Sequence, residues 1–221
     1  MIAEELINTM IPPLKLSDDS GKALVWMEEL RLHQLPVVEG GQFIGMLEED
    51  SLFENEEAEN PVREFALSAQ DASIHYSQHF LDVIRVACAL EVGLVAIEDE
   101  EGKYLGVVTL EDTVQAFAKT TSVDSPGGIL VLKMLQTDYS LAEISRLIEA
   151  ENVKILSLNL ASDPDDSAKI RVTIKVNQAD LTRIIATLER FGYSIVAQFH
   201  EPDNDNYQKE RLDALMKYLD I

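Results

Sequence analysis

Apolar and polar positions alternate along the chain in a way that divides it into short helices and strands, and the division repeats. Leu14-Lys15-Leu16-Ser17 reads as extended, and Asp18, Asp19 and Ser20 are residues that start helices. Leu24, Met27 and Leu30 follow at helical spacing, with Val25 at the margin of the same stripe, which predicts an amphipathic helix. Leu35-Pro36-Val37-Val38 predicts a strand, Gly40-Gly41 a turn, and Phe43-Ile44-Gly45-Met46-Leu47 a second strand.

The same order then returns. Ser73-Ile74-His75-Tyr76 is extended, Ser77 is the candidate helix cap, and Phe80, Val83, Ile84 and Ala87 share a helical face. Leu94-Val95-Ala96-Ile97 is a strand, Asp99-Glu100-Glu101-Gly102 a turn, and Tyr104-Leu105-Gly106-Val107-Val108 the next strand. The helices and first strands align at an offset of 59 and the second strands at 61, so the second turn reads as two residues longer. An insertion in a turn is what a duplicated βαββ unit tolerates. Cys88 falls in an apolar helical run and is expected to fill core space.

From Gly127 the pattern changes. Ser125-Pro126-Gly127-Gly128 is a linker signal, and Ile129 to Leu135 is nearly all apolar. Leu141, Ile144 and Ile148 mark a helix that Asp138 and Ser140 are placed to cap. Leu156, Leu158 and Leu160 alternate with polar residues, Asp163-Pro164-Asp165-Asp166 predicts a hairpin turn, and Ile170, Val172, Ile174 and Val176 alternate again. Leu181, Ile184, Ile185 and Leu188 predict a second helix ending near Phe191-Gly192, and Ser194 to Phe199 a last strand. The order is βαββαβ, a ferredoxin-like split. Leu212, Leu215, Met216 and Leu219 form one stripe of a tail helix over Tyr207 to Leu219. The first strand should be central in such a sheet, yet Ile129-Leu130-Val131-Leu132 is apolar on both faces, which predicts a second face covered by another chain, the first half of this chain or the tail helix, and a homodimer or larger assembly is expected.

Charge narrows the function. The chain of 221 residues has a formal net charge of −22, and residues 1–125 hold 25 acidic and 7 basic side chains. A surface of that sign disfavours nucleic acid and acidic membranes as partners. No apolar run approaches the roughly 20 residues of a membrane span. The start Met1-Ile2-Ala3-Glu4-Glu5 lacks the basic region of a signal peptide, so a cytoplasmic location is expected. One cysteine excludes a cysteine metal cluster. His75 and His79 have metal-ligand spacing only on one helix, and the repeat puts His75 on a strand. No nucleophile–base–acid order, phosphate loop or dinucleotide fingerprint appears, so no catalytic residue and no metal is assigned, and the chain is not read as an enzyme. Glu98 to Glu101 and Glu54 to Glu59 read as solvated acidic loops.

The strongest motif is Gly106-Val107-Val108-Thr109-Leu110-Glu111-Asp112. Glycine permits close backbone approach, Thr109 ends a strand where it caps a helix, and Asp112 stands one turn on with two acceptor oxygens. A plainer reading remains open, in which Thr109 only caps the helix and Asp112 only suits its dipole. The first copy departs: Gly45-Met46-Leu47-Glu48-Glu49-Asp50-Ser51 puts Glu48 in place of the threonine and Ser51 in place of the aspartate. A carboxylate facing a phosphate is repulsive, so this copy's cleft is expected to be empty or to take something else.

Strand, helix, Leu35-Pro36-Val37-Val38, glycine turn and the Gly106–Asp112 motif together resemble the CBS domain, over about 115 residues. The resemblance implies a tandem pair (a Bateman module) packed by a pseudo-two-fold with two clefts. It also implies that Gly106, Thr109 and Asp112 contact the ribose and phosphate of an adenosine ligand. His75 and Tyr76, on the extended segment opening the second copy, complete the candidate ligand-binding set. The second half resembles an ACT domain over about 72 residues, although its loop Gln136-Thr137-Asp138-Tyr139-Ser140 lacks the glycine usual in amino-acid-binding members. The order of two CBS units and one ACT unit is similar to that of acetoin-utilisation (AcuB-type) proteins, and of bacterial proteins that bind cyclic dinucleotides.

The expectation is therefore an α+β chain: CBS 1 at 1–60, CBS 2 at 61–122, a linker at 123–128, an ACT-like domain at 129–202 and a tail helix at 203–221. It would be a non-catalytic regulatory protein sensing an adenosine-containing ligand such as AMP, adenosine, S-adenosylmethionine or a cyclic dinucleotide, with the ACT-like domain as an oligomerisation or second sensing unit and an unknown regulated protein as partner. The alternative is an assembly protein whose clefts have decayed.

Overall fold

The computed structural model describes residues 1–53 and 60–200 and divides the chain into two compact units, Met1–Phe117 and Ala118–Ile221. The acidic stretch at 54–59 and the tail stripe lie outside the described residues.

The first unit contains α1 (Ser20–Leu30), β1 (Gln34–Glu39), β2 (Gln42–Glu48) and α2 (Glu49–Phe53). These are followed by β3 (Ser73–His75), α3 (Phe80–Leu90), β4 (Leu94–Glu98), β5 (Tyr104–Thr109) and α4 (Leu110–Thr120), whose last turn belongs to the second unit. Each copy is βαββ, with the first strand of copy 1 reduced to a bridge in which Leu14 pairs with Val37. In copy 2 the same strand is β3, parallel to β4.

The helices form where the capping residues and periodicity place them. The Asp19 carboxylate accepts the Lys22 amide and starts α1, and Ala23 and Met27 face the core. In α3 the cap is His79, whose Nδ1 accepts the Leu81 amide, and not Ser77. Ser77 instead hydrogen-bonds the His75 ring at 2.8 Å. The inward face of α3 is Phe80, Val83, Val86 and Ala87, which leaves Cys88 one step around the helix and exposed. The expectation that Cys88 fills core space is thus corrected.

The repeat offset is also corrected. Arg31 and Glu91, both left-handed at φ 56°, close the two helices. Val37 pairs with Gly45, and Ile97 with Gly106. Helices and first strands therefore correspond at an offset of 60, and the second turn is one residue longer. Helical spacing tolerates a slip of one apolar position, whereas a slipped strand turns every side chain to the other face.

The segments that lead into the two copies are exchanged. Residues 2–8 dock on copy 2: Ala3 N–H donates to Gln78 O, Glu4 N–H to Tyr76 O and Asn8 N–H to Val107 O. Residues 61–68 dock on copy 1: Val62 N–H donates to Asp18 O, Arg63 N–H to Leu16 O, and Ser68 and Met46 exchange both backbone bonds. One core, including Leu14, Met27, Leu35, Met46, Leu94 and Ile97, runs through both copies.

The second unit adds β6 (Gly128–Leu135), α5 (Leu141–Glu149), β7 (Ile155–Ser162), β8 (Lys169–Val176), α6 (Thr182–Arg190) and β9 (Ser194–His200). The sheet order is β7-β8-β6-β9 with every pair antiparallel, the ferredoxin-like arrangement. Ser140 caps α5 through the Glu143 amide, while Asp138 lies in the preceding 3-10 turn. Leu130 and Leu132 of the central β6 are fully buried with Ile144, Ile148, Val172, Ile174 and Leu188. Ile129 and Val131, on the opposite face, are only half-buried. The β7–β8 hairpin is pinned by Asp163, whose carboxylate meets Lys133 Nζ and Arg171 Nε at 2.8 Å each. The hydrogen bond from Lys133, then that from Arg171, holds the Asp163 carboxyl well below the usual carboxylate range. No helix among the described residues is long and apolar enough to cross a membrane.

Candidate functional site

The motif of copy 2 is built at the junction of β5 and α4. Thr109 is the last residue of β5 and pairs with Leu94, and the next amide, Leu110 N–H, donates to Gly93 O at 2.9 Å. The strand ends there because the Thr109 side chain turns to serve the helix. Its Oγ1 accepts the Asp112 amide at 2.9 Å and donates to Asp112 Oδ2 at 2.7 Å. This is a reciprocal cap that joins the first residue before the helix to the third within it. Thr113, fully buried, donates back to Thr109 O at 2.8 Å and locks the turn.

A residue 104 positions away completes this cluster. Asn8 N–H donates to Val107 O at 2.8 Å, which lays the leading segment against β5. Asn8 Oδ1 accepts the Met10 amide at 3.0 Å, and Asn8 Nδ2 donates to Asp112 Oδ2 at 3.2 Å. Gly106 is needed here for the chain itself. A Cβ at Gly106 would lie 2.5 Å from Ile7 Cγ2, so the glycine admits the leading segment beside β5. The close approach that Gly106 was expected to permit is thus made by Ile7 of the chain itself.

Copy 1 has the same construction with different chemistry. A Cβ at Gly45 would lie 2.9 Å from Ser68 O and 3.0 Å from Leu67 Cβ. The Ser68 hydroxyl donates to the Glu48 carboxylate, which stands where Thr109 stands in copy 2. Ser51 supplies no carboxylate at the position of Asp112. Glu48, Glu49 and Asp50 instead line a cavity of about 490 Å³ together with Arg31, Gln34 and Gly93. With its amide oxygen turned to copy 2, Gln34 accepts from Gly93 N–H at 2.6 Å and Leu94 N–H at 3.0 Å, which ties the two copies together beside this cavity. His33 Nδ1 meets Glu49 Oε2 at 2.6 Å on its rim.

His75 and Tyr76 stand apart from the Thr109 cluster. Their rings are 4.5 Å apart at 42°, and His75 Nδ1 is held by the Ser77 hydroxyl. The Tyr76 hydroxyl donates to Glu100 at 3.4 Å, and the negative charge of Glu100, then desolvation, raises its pKa. Tyr76 lines a concavity of about 530 Å³ with Glu4, Asp99, Glu100, Glu101 and Leu105, and neither Thr109 nor Asp112 lines it. The five sequence-predicted residues thus form two groups: Gly106, Thr109 and Asp112 in one, His75 and Tyr76 in the other. Among the described residues, no group of three or more His, Cys, Asp or Glu side chains is arranged to hold a metal ion.

Asn8, Ser68 and Gln34 were not singled out by sequence reasoning. Asn8 and Ser68 carry one positional signal, since they stand 60 residues apart, the offset of the two copies, and Gln34 carries none.

Comparison with known proteins agrees with this architecture. Residues 130–192 match the family model of the ACT domain. A CBS domain pair/ACT domain protein from Thermotoga maritima matches with a TM-score of 0.50 and 18% identity, over 54% of this chain and 98% of that chain. A proposed acetoin utilization protein (AcuB) from Vibrio cholerae matches with a TM-score of 0.48 and 15% identity, over 56% of this chain and 95% of that one. The protein CBSX2, in a structure with AMP, matches with a TM-score of 0.45 and 16% identity, over 53% of this chain and 96% of that one. With its duplicated, exchanged βαββ unit and its ferredoxin-like second unit, the chain has the fold of a CBS domain pair joined to an ACT domain.

Proposed function

We propose that this chain is a non-catalytic regulatory protein whose CBS pair senses an adenosine-containing ligand at Asp112. The observation that carries the reading is the Asp112 carboxylate itself. It is half-buried on the first turn of α4, fixed in position by Thr109, and its Oδ1 accepts no hydrogen bond among the described residues. A fixed carboxylate with a spare oxygen suits a ribose hydroxyl. Copy 1 lacks that group, so one ligand per chain is expected. The acidity of the first 125 residues favours ligands of low negative charge, such as adenosine, AMP or S-adenosylmethionine, over metal-free ATP.

Calorimetry in chelator with AMP and ATP, on wild type, Asp112→Ala and Asp50→Ala, tests this. Asp112→Ala is expected to weaken AMP binding by roughly 1.5–3 kcal/mol, the worth of a hydrogen bond to a charged group. Asp50→Ala should leave it unchanged. Equal losses in the two variants, or metal-free ATP binding more tightly than AMP, would overturn the assignment.

The alternative reading, an assembly protein with filled clefts, is favoured by one observation: the motif's hydrogen bonds already close on Thr109 and Asn8. Wild type that binds none of adenosine, AMP, ATP, S-adenosylmethionine or a cyclic dinucleotide would select it.

The ACT unit we read as the oligomerising part, giving a homodimer. Ile129 and Val131 are half-buried on the sheet face away from the helices, and Phe199, the cross-strand partner of Ile129, is 58% exposed. Light scattering should return twice the chain mass of 24.7 kDa. A monomer mass that persists on concentration refutes it.

A further inference from the structure

We infer that Asn8 is a built-in competitor for the ligand at Asp112, so that binding there releases the side-chain latch of residues 7–10; this rests on the reading of Asp112 as the ribose-binding group. A ribose diol engages a carboxylate most fully with one hydroxyl on each oxygen. Asp112 Oδ1 is open, but Oδ2 already accepts two donors, Thr109 Oγ1–H at 2.7 Å and Asn8 Nδ2–H at 3.2 Å. A carboxylate oxygen has two lone-pair sites, so a second hydroxyl must displace one of these donors. Thr109 is the harder to displace, because its Oγ1 also receives the Asp112 amide within the helix cap. Asn8 is reached from another part of the chain by one longer bond.

Asn8 also presents the donor a ribose hydroxyl would present. Its amide orientation is set by the Met10 N–H, which donates to Oδ1 at 3.0 Å and so aims Nδ2 at Asp112. The leading segment keeps a separate anchor, the backbone bond from Asn8 N–H to Val107 O at 2.8 Å. The side-chain latch therefore opens without the strand leaving β5, and what loosens first is the turn held by the Met10 amide. The competition belongs to copy 2 alone. In copy 1 the equivalent Ser68 donates to Glu48, and Ser51 offers no carboxylate for a ribose.

The experiment uses the full chain with AMP and 2′-deoxy-AMP as probes. Asn8→Ala and Asn8→Ser are compared with wild type and Asp112→Ala by calorimetry, and amide exchange at Met10 is followed with and without AMP. Serine is too short to reach Asp112 but retains an acceptor for the Met10 amide, so it removes the latch while sparing the turn. Both Asn8 variants are expected to bind AMP about three- to tenfold more tightly, the worth of one removed hydrogen bond. 2′-Deoxy-AMP, with a single hydroxyl for the open Oδ1, should show little gain. AMP should speed Met10 exchange in wild type. AMP binding that is lost in Asp112→Ala but equal or weaker in both Asn8 variants overturns the competitor and leaves the site standing. AMP binding that is indifferent to Asp112→Ala, or absent from every variant, overturns the site and the competitor together.

Discussion

Gly127→Ala is expected to destabilise the second unit by about 3 kcal/mol, because the added atom meets backbone that cannot yield. A Cβ at Gly127 would lie 1.8 Å from the Val176 carbonyl oxygen and 3.0 Å from its carbon. Val176 is fully buried, and its Cα pairs with both Gly128 and Ile155, so moving it disturbs β8 against two neighbours. Gly128 is scarcely freer: its Cβ would fall 2.8 Å from Leu181, which closes the core beside α6. The two glycines thus let the chain enter the sheet close against β8. Amide exchange across β6 and β8 of the full chain reads the loss directly. Unchanged protection there would show that the entry to β6 shifts at no cost.

Phe80→Ala is expected to cost the first unit about 3–5 kcal/mol, the range for emptying a buried phenyl site. Phe80 is 1% exposed at the first turn of α3, under the leading segment whose Met1 carbonyl accepts its amide. Its counterpart in copy 1 is Ser20, 3% exposed, whose hydroxyl has no partner. Ser20→Ala removes a buried hydroxyl that makes no bond, so it should leave stability unchanged or raise it by about 1 kcal/mol. The opposite signs at equivalent positions make the pair a sharp test. The single tryptophan, Trp26 on α1, packs against the first unit's core and reports its unfolding in urea. A Phe80→Ala loss below about 1 kcal/mol would mean the site collapses around the missing ring.

The two substitutions fall in different units, and each unit has its own core. Regulation would need a ligand in one unit to bias a state of the other, and a ligand shifts an equilibrium only by its differential affinity for the two states. The Asn8 latch supplies such a difference within the first unit, since Asp112 is either held by the chain or by the ligand.

Much of this was legible in the residues alone. Strand alternation over Ile170 to Val176 reports a half-buried sheet because successive side chains face opposite sides. Thr109 as a helix cap was legible because capping chemistry is local, whereas its reciprocal bond with the Asp112 carboxylate was seen only in the structure. The duplication was legible too, but its offset came out one residue short at the helices, where apolar spacing is degenerate. Tertiary structure decided what joins distant segments. Gly106 faces Ile7, Asn8 reaches Asp112, Ser68 reaches Glu48, and Gln34 binds the amides that open β4. The separation of His75 and Tyr76 from the Thr109 cluster is of the same kind, as is the exposure of Cys88. The pattern of one segment determines which face is apolar and where a helix begins. Which hydrogen-bond donor arrives at a carboxylate 104 residues away depends on the docking of whole strands, and no local periodicity carries that information.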